Sequence, residues 1–156
     1  MELSLILETR SPEETERLGT VLASIVPPGS VVALRGDLAA GKTCLVRGMA
    51  AYYAKGVPIH SPTFTLVNEY GDSPRLFHVD LYRLDPEEVL DLGYEEIFEP
   101  EGVTVVEWAE RAERLLPSQR LDVLLEHAGG DRRHLSFRDH GVMSEGWTEQ
   151  LASALR

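Results

Sequence analysis

The sequence predicts an α/β protein, a three-layer sandwich with a mixed, mostly parallel central sheet and antiparallel hairpins. Three observations support this prediction. Strand patterns and helical patterns alternate along the first third of the chain. The apolar run "VTVVEWA" (103–109) is nearly continuous, which is typical of a strand buried on both faces. Two pairs of alternating runs are each split by a turn signal, which predicts two hairpins.

The first third of the chain is predicted to form a strand, a helix, a strand and a helix. These segments are residues 3–8, 11–26, 31–36 and 42–54. Ser11 is a suitable N-cap for the first helix, with Pro12 at the first helical position, and "EE" in its first turn suits the positive end of the helix dipole. The turn residues "PPGS" then end this helix.

The rest of the chain is predicted to contain both hairpins and three further helical stretches. The hairpins are residues 63–84, split by "GDSP", and residues 120–138, split by "GGD"; the helical stretches are 85–93, 110–116 and 144–156. We find no repeat, low-complexity tract or linker. Residues 1–156 are therefore expected to form one domain, which this length can supply with a full hydrophobic core.

Composition narrows the possible functions. The formal charge of −11 repels polyanions, so direct, tight binding of nucleic acid is not expected. Cys44 is the only cysteine, the N-terminus lacks the features of a signal peptide, and no apolar run approaches the roughly 18 residues that span a bilayer. A cytoplasmic protein without a membrane segment is expected. Lysine occurs only at positions 42 and 55 against 13 arginines, which draws attention to Lys42.

A phosphate-binding loop joins the second predicted strand to the second helix. It matches the pattern G-x-x-x-x-G-K-[ST] at Gly36, Asp37, Leu38, Ala39, Ala40, Gly41, Lys42 and Thr43. The glycines allow successive backbone N–H groups to face one anion, and the helix N-terminus adds positive partial charge. Lys42 would reach the β- and γ-phosphates, and the Thr43 hydroxyl would ligate Mg²⁺. The fold is thus predicted to be P-loop NTPase-like, with ATP and Mg²⁺ as cofactors.

The nucleotide base is predicted to be adenine. Guanine-specific proteins of this type usually carry an N-K-x-D-like segment, and neither lysine of this chain is followed by x-D. Trp108 could stack on a base or contact a partner, although a tryptophan after a buried strand is more often part of the core. The histidines at positions 78, 127, 134 and 140 show no metal-ligand spacing and are interpreted as structural or surface residues.

Hydrolysis also needs a carboxylate near the metal and a group that orients water, and three residues are candidates. Asp80 lies in "HVDLYRL", with a solvated face of a hairpin as the alternative. Glu107 ends a buried run, where an unpaired carboxylate is costly, so a cation or base is expected beside it; a structural ion pair is the alternative. Thr63 follows a proline in "HSPTFTLVNEY", the position of a switch segment, where Ser61 and Thr65 also carry hydroxyls.

With "GDLAAGKT", "SPTFTLVNEY", "HVDLYRL" and "VVEWAER" in this order, the chain resembles the bacterial TsaE (YjeE) family over nearly its full length. The resemblance implies phosphate and Mg²⁺ roles for Lys42 and Thr43, and a metal-side role for Glu107. It also implies roles for the following residues: Asp80 in the hairpin strand, Thr63 in the switch-like segment, Arg132 near the nucleotide, and the "SPEET" segment that begins at Ser11.

The resemblance implies a P-loop ATPase, weak alone, that supports the TsaB–TsaD pair in the threonylcarbamoyl modification of tRNA adenosine 37. The acidic charge agrees with contact to the tRNA pathway through protein partners, without direct tight tRNA binding. Two alternatives share the phosphate loop. A small-molecule kinase would need an acceptor pocket and usually an arginine-bearing lid, and no arginine-rich insertion is visible. A non-catalytic, ATP-gated adaptor would bind nucleotide without useful hydrolysis.

Overall fold

The computed structural model describes residues 3–36, 40–53, 67–71, 76–80, 102–109, 113 and 116–156. These residues form seven strands and three helices. The strands are β1 (Leu3–Thr9), β2 (Val31–Arg35), β3 (Val67–Tyr70), β4 (Leu76–Asp80), β5 (Val103–Glu107), β6 (Leu121–His127) and β7 (Arg133–Asp139). The helices are α1 (Pro12–Ile25), α2 (Lys42–Tyr53) and α3 (Trp147–Ser153).

The seven strands form one mixed sheet in the order β1-β7-β6-β2-β5-β4-β3. The central pairs β6-β2, β2-β5 and β5-β4 are parallel, whereas the outer pairs β1-β7, β7-β6 and β4-β3 are antiparallel. This confirms the mostly parallel centre and both predicted hairpins. The parallel strands end at Arg35, Asp80, Glu107 and His127, which therefore lie along one edge of the sheet, called here the site edge. Thr9, at the end of β1, lies at the same edge.

Helices α1 and α2 cover one face of the sheet. Leu18 of α1 and Leu45 of α2 are fully buried in one apolar cluster with Leu34 and Val105, and Trp147 of α3 joins this cluster. On the opposite face, the side chains of Ala33, Val79 and Val106 are also almost completely buried. The central strands are therefore covered on both faces, as a three-layer arrangement requires.

Most predicted boundaries agree with the structure to within one or two residues, and the exceptions have local causes. The strand predicted over 103–109 ends at Glu107, because Trp108 has a left-handed backbone with φ of 61°. The C-terminal helix predicted over 144–156 is confined to α3, which follows the left-handed Gly146. The predicted helix 85–93 lies outside the described residues, as do residues 63–66 and 81–84 of the first hairpin and most of 110–116.

The N-cap prediction for α1 is confirmed. Ser11 has an extended backbone, and its hydroxyl accepts a hydrogen bond from the Glu14 N–H at 3.1 Å. Beside it, the hydroxyls of Thr9 and Thr15 share a buried hydrogen bond of 2.6 Å. These bonds fix the start of α1 to the end of β1, at the site edge. As for membrane insertion, no helix within the described ranges is both long enough and apolar enough to cross a bilayer.

Candidate functional site

The phosphate loop leaves β2 at Gly36 and enters α2 at Lys42. Gly36 and Gly41 have φ of +135° and +97°, a backbone conformation that residues with a side chain rarely adopt. A Cβ on Gly36 would also lie 2.3 Å from the Leu125 carbonyl oxygen, so the backbone of β6 leaves no space for one. Both glycines are therefore required by the backbone itself. Ala40 is buried, and the intervening Asp37, Leu38 and Ala39 lie outside the described residues.

The Lys42 ammonium group closes this loop. Its Nζ donates a hydrogen bond of 2.6 Å to the Gly36 carbonyl oxygen, and it lies 3.5 Å from the centroid of the Trp108 ring. The residue is only 4% exposed, so it lies within the site and not in free solution. Thr43 follows in the first turn of α2, where backbone N–H groups lack intrahelical partners and the helix dipole is positive. The structure thus brings the predicted phosphate residues Gly36, Lys42 and Thr43 together.

Two carboxylates end adjacent parallel strands beside the loop. Asp80 is the last residue of β4 and is paired in register with Glu107, the last residue of β5. Glu107 is in turn paired with Leu34, two residues before the loop begins. Because residues paired in register point to the same face of a sheet, both carboxylates lie on the face that α2 covers. Glu107 is buried and Asp80 is half-buried.

A histidine that the sequence analysis set aside contacts one of these carboxylates. The ring of His78 is 1% exposed, and its Nε2 lies 2.6 Å from Oε2 of Glu107. Of the two readings offered for this histidine, the structural one applies and the surface one is wrong. The sequence did contain a signal, because His78 and Asp80 stand two positions apart in a strand and so share a face. The expected base beside Glu107 is His78.

Arg133, the first residue of β7, lies against the phosphate loop and is a second residue missed by the sequence analysis. The Arg133 side chain crosses Gly41, since a Cβ on that glycine would lie 3.6 to 3.8 Å from its Cγ, Nε and Cδ. Its Nη1 donates hydrogen bonds of 2.8 Å to the carbonyl oxygens of Gly130 and Arg132. Within the described parts of the chain, its buried Nε has no hydrogen-bond partner. Arg133 therefore packs directly against Gly41 of the phosphate loop.

Arg132 and Ser11, two of the residues carried over by resemblance, lie at the same edge with different surroundings. The Arg132 side chain is 58% exposed, and its Nη1 lies 3.8 Å from Oε1 of Glu8. Ser11 is near because β1 pairs Thr9 with Arg133, but its hydroxyl is used as the cap of α1. Thr63 lies outside the described residues, as do Ser61 and Thr65.

A charged network supports the end of β2, directly before the loop. Arg35 donates two hydrogen bonds to the Glu113 carboxylate, of 2.6 and 3.0 Å, and a third of 3.3 Å to Asp122. Burial lowers the pKa of the Arg35 guanidinium, but the bonds and charges of Glu113 and Asp122 outweigh burial and raise it. Arg35 thus stays charged and joins three segments beside Gly36.

The chain is similar to one described family over most of its length. The family model described as "Threonylcarbamoyl adenosine biosynthesis protein TsaE" matches residues 9–135. A protein of Bacillus subtilis named "tRNA threonylcarbamoyladenosine biosynthesis protein TsaE" is 40% identical over 145 residues, which is 92% of this chain and 91% of the relative. A Treponema pallidum protein of the same name is 40% identical over 129 residues, 82% of this chain and 96% of the relative.

A solved structure shows the same fold. The crystal structure of YdiB from Bacillus subtilis superposes with a TM-score of 0.81 at 36% sequence identity. The match covers 100% of this chain and 99% of YdiB. The strand order and the helices described above therefore occur together in a known protein.

Proposed function

The chain belongs to the TsaE family, and from that premise we propose that it is an ATPase that binds ATP with Mg²⁺ and supports a TsaB–TsaD pair in the threonylcarbamoyl modification of tRNA adenosine 37. The relatives are named as tRNA threonylcarbamoyladenosine biosynthesis proteins. Our proposal goes beyond this name in three respects: the hydrolysis of ATP, the requirement for Mg²⁺ and the identity of the partners. We also propose that residues 1–156 act as one domain in the cytoplasm.

The observation that carries the proposal is the position of Lys42. Its Nζ spans the loop to the Gly36 carbonyl oxygen, 2.6 Å away, at the start of α2. An ammonium group beside glycines with left-handed backbones and the positive end of a helix dipole fits the terminal phosphates of a nucleotide. We assign nucleotide binding to the loop Gly36–Thr43, with Trp108, Ser11, Arg132 and its neighbour Arg133 as further contacts.

The chemistry of the residues present also fits a magnesium ion. Mg²⁺ prefers oxygen ligands and usually takes only one or two carboxylates from the protein, with the rest supplied by phosphates and water. The described residues contain no group of three or more His, Cys, Asp or Glu side chains that could hold a metal ion. Thr43 and Glu107 would hold the ion. Once bound, Mg²⁺ would neutralise phosphate charge that develops during hydrolysis.

The chain's own residues would then divide the work of hydrolysis. Lys42 would bind the phosphates, and Glu107 would ligate the metal ion. Asp80, adjacent to Glu107 in the sheet, is assigned to orienting the attacking water. Thr63 is assigned to the switch segment. We propose that the protein contacts its protein partners and does not bind tRNA directly, because a chain with a charge of −11 is repelled by tRNA.

Phosphate release by the purified protein, alone and with TsaB–TsaD, tests this proposal. We expect slow release alone and faster release with both partners, and a competition titration that shows tighter binding of ATP than of GTP. Transfer of phosphate to a common small-molecule acceptor would favour a kinase. ATP-dependent association with TsaB–TsaD without phosphate release would favour the adaptor.

A further inference from the structure

We propose that His78 is a positioning residue that holds the Glu107 carboxylate in the orientation needed to bind the metal. The inference rests on the proposed function, because it assumes that Glu107 serves a metal ion. It assigns a role to a buried side chain whose hydrogen bond, among the described residues, is to Glu107 and not to the phosphate loop. The contact between the two side chains, their burial and the register of the strands carry the argument.

The hydrogen bond between the two side chains is short and shielded from water. The distance from Nε2 of His78 to Oε2 of Glu107 is 2.6 Å, and the two side chains are 1% and 5% exposed. A carboxylate at this depth is costly unless a donor satisfies it. The hydrogen bond from the imidazole therefore offsets part of the free-energy cost of burying Glu107.

The surroundings of the ring define which nitrogen carries the hydrogen. An ionised carboxylate can only accept, so the bond requires a hydrogen on Nε2. The opposite nitrogen, Nδ1, is buried and has no hydrogen-bond partner in the described part of the structure. A second N–H there would be a buried donor without an acceptor, so the arrangement favours a neutral ring that donates from Nε2.

The strand register explains how His78 controls the direction of Glu107. Strands β4 and β5 are parallel neighbours, with His78 paired to Val105 and Asp80 paired to Glu107. His78 thus lies one same-face position before the site edge, and its ring extends toward that edge to reach Oε2. The hydrogen bond uses one of the two carboxylate oxygens, Oε2, and comes from the side of the sheet interior. The carboxylate is held at the end of β5, next to Asp80, by a rigid ring on a buried strand.

Side chains that orient a metal-binding carboxylate have a measurable effect on metal affinity. Removing such a hydrogen-bond partner typically weakens metal binding by about 10- to 100-fold. We expect the same range for loss of the His78 donor. Affinity for ATP without Mg²⁺ should stay close to that of the wild type, because in the described part of the chain His78 bonds to Glu107 and not to a residue of the phosphate loop.

Two amide substitutions separate positioning from packing. In His78→Gln the side-chain amide reaches the place of Nε2 and keeps a donor for Glu107, whereas in His78→Asn the donor lies near the place of Nδ1 and is too short to reach. Mg²⁺ affinity is measured by titration in the presence of ATP. We expect His78→Gln to remain within about threefold of wild type and His78→Asn to lose at least tenfold.

A histidine–carboxylate pair on the opposite face of the sheet provides the matched control. Nε2 of His140 lies 2.9 Å from Oδ2 of Asp122, which is paired in register with Ala33 and so lies on the face away from Glu107. His140→Asn should leave Mg²⁺ affinity unchanged. In a Glu107→Ala background, His78→Asn should cause no further loss, because the residue through which His78 acts is gone. A loss that persists in that background would overturn the proposal.

Nitrogen-15 NMR of the ring gives a test that needs neither metal nor activity. We expect His78 of the nucleotide-free protein to carry its hydrogen on Nε2, with a low-field proton signal that Glu107→Ala removes. A hydrogen on Nδ1 alone, or equal Mg²⁺ affinities for wild type and His78→Asn, would overturn the proposal. A wild-type protein that binds no Mg²⁺-ATP would overturn the proposed function itself, and with it the metal role of His78.

Discussion

The Nζ atom of Lys42 lies 3.5 Å from the centroid of the Trp108 ring, at the junction of the phosphate loop and the end of β5. Trp108 is the only described residue other than glycine with a positive φ, and such strained backbones concentrate at functional sites. A cation over an aromatic face is attracted to it. The turn at Trp108 thus places an aromatic ring against Lys42, the side chain that we assign to the terminal phosphates.

Substitution of that side chain, Lys42→Ala, should abolish tight ATP binding. It removes a charge-assisted contact to the terminal phosphates, worth about 1.5–3 kcal/mol. The midpoint of thermal unfolding should change little, because Lys42 belongs to the loop and not to the apolar cluster. Binding titrations test this, with Arg47→Ala on the same helix as a control that removes an equal charge. Wild-type affinity in Lys42→Ala would refute the phosphate assignment.

Glu107→Ala and Asp80→Ala should fail in different ways. Loss of Glu107 deletes a metal ligand, so binding of Mg²⁺-ATP should weaken more than binding of Mg²⁺-free ATP. Loss of Asp80 should lower turnover while binding stays close to wild type, because a water-orienting contact matters mainly in the transition state. Titrations with and without Mg²⁺ and phosphate release, alone and with TsaB–TsaD, distinguish them. If both variants turned over ATP as fast as wild type, Glu107 and Asp80 would have structural roles only.

Arg133→Ala should weaken ATP binding more than Arg132→Ala. Arg133 packs across Gly41, whereas the Arg132 side chain is 58% exposed beside Glu8. A single charged hydrogen bond to a phosphate is worth about 1.5 kcal/mol, or roughly tenfold in affinity. The two variants remove the same charge from adjacent positions, so each controls for the other in a calorimetric titration. A larger effect at Arg132 would support the residue indicated by resemblance.

Gly48→Ala should destabilise the fold although alanine is the better helix former by about 1 kcal/mol. A Cβ at Gly48 would lie 1.8 Å from the Glu16 carbonyl oxygen, so α1 and α2 would have to separate. Overpacking of this kind costs about 1–3 kcal/mol, and each kcal/mol lowers the unfolding midpoint by about 2–4 °C at this size. Glu16→Ala, which keeps the carbonyl, should unfold close to wild type. A stabilised Gly48→Ala would contradict the close helix packing.

Asp122→Asn should destabilise the protein at neutral pH but not in acid. Burial raises the pKa of Asp122, but hydrogen bonds and charges from Arg120 and Arg35 outweigh burial and hold it below its usual value. Its contribution is therefore complete above the unfolded-state pKa of about 4 and is lost as the pH falls through the folded-state value. The difference in unfolding midpoint from wild type should shrink below about pH 4. Glu126→Gln, which removes a carboxylate at an exposed position on the same strand, is the control for the change of charge.

Much of the fold and the phosphate loop of the site can be predicted from local sequence. The strand and helix periods, the Ser11 cap and the turn residues are set within a few positions of one another, so they can be predicted without knowledge of distant contacts. The phosphate loop is predictable for the same reason, since its backbone conformation and its helix start are encoded in eight consecutive residues.

Tertiary structure alone decided which side chains meet across the sheet. His78 and Glu107 are 29 positions apart, and no local period requires β4 and β5 to be neighbours; only the strand order brings them together. The packing of Arg133 across Gly41 likewise depends on where the start of β7 lies relative to the phosphate loop. Sequence therefore determined the glycine-rich loop between β2 and α2, whereas packing between distant segments determined what surrounds it, because burial and strand pairing are properties of the whole chain.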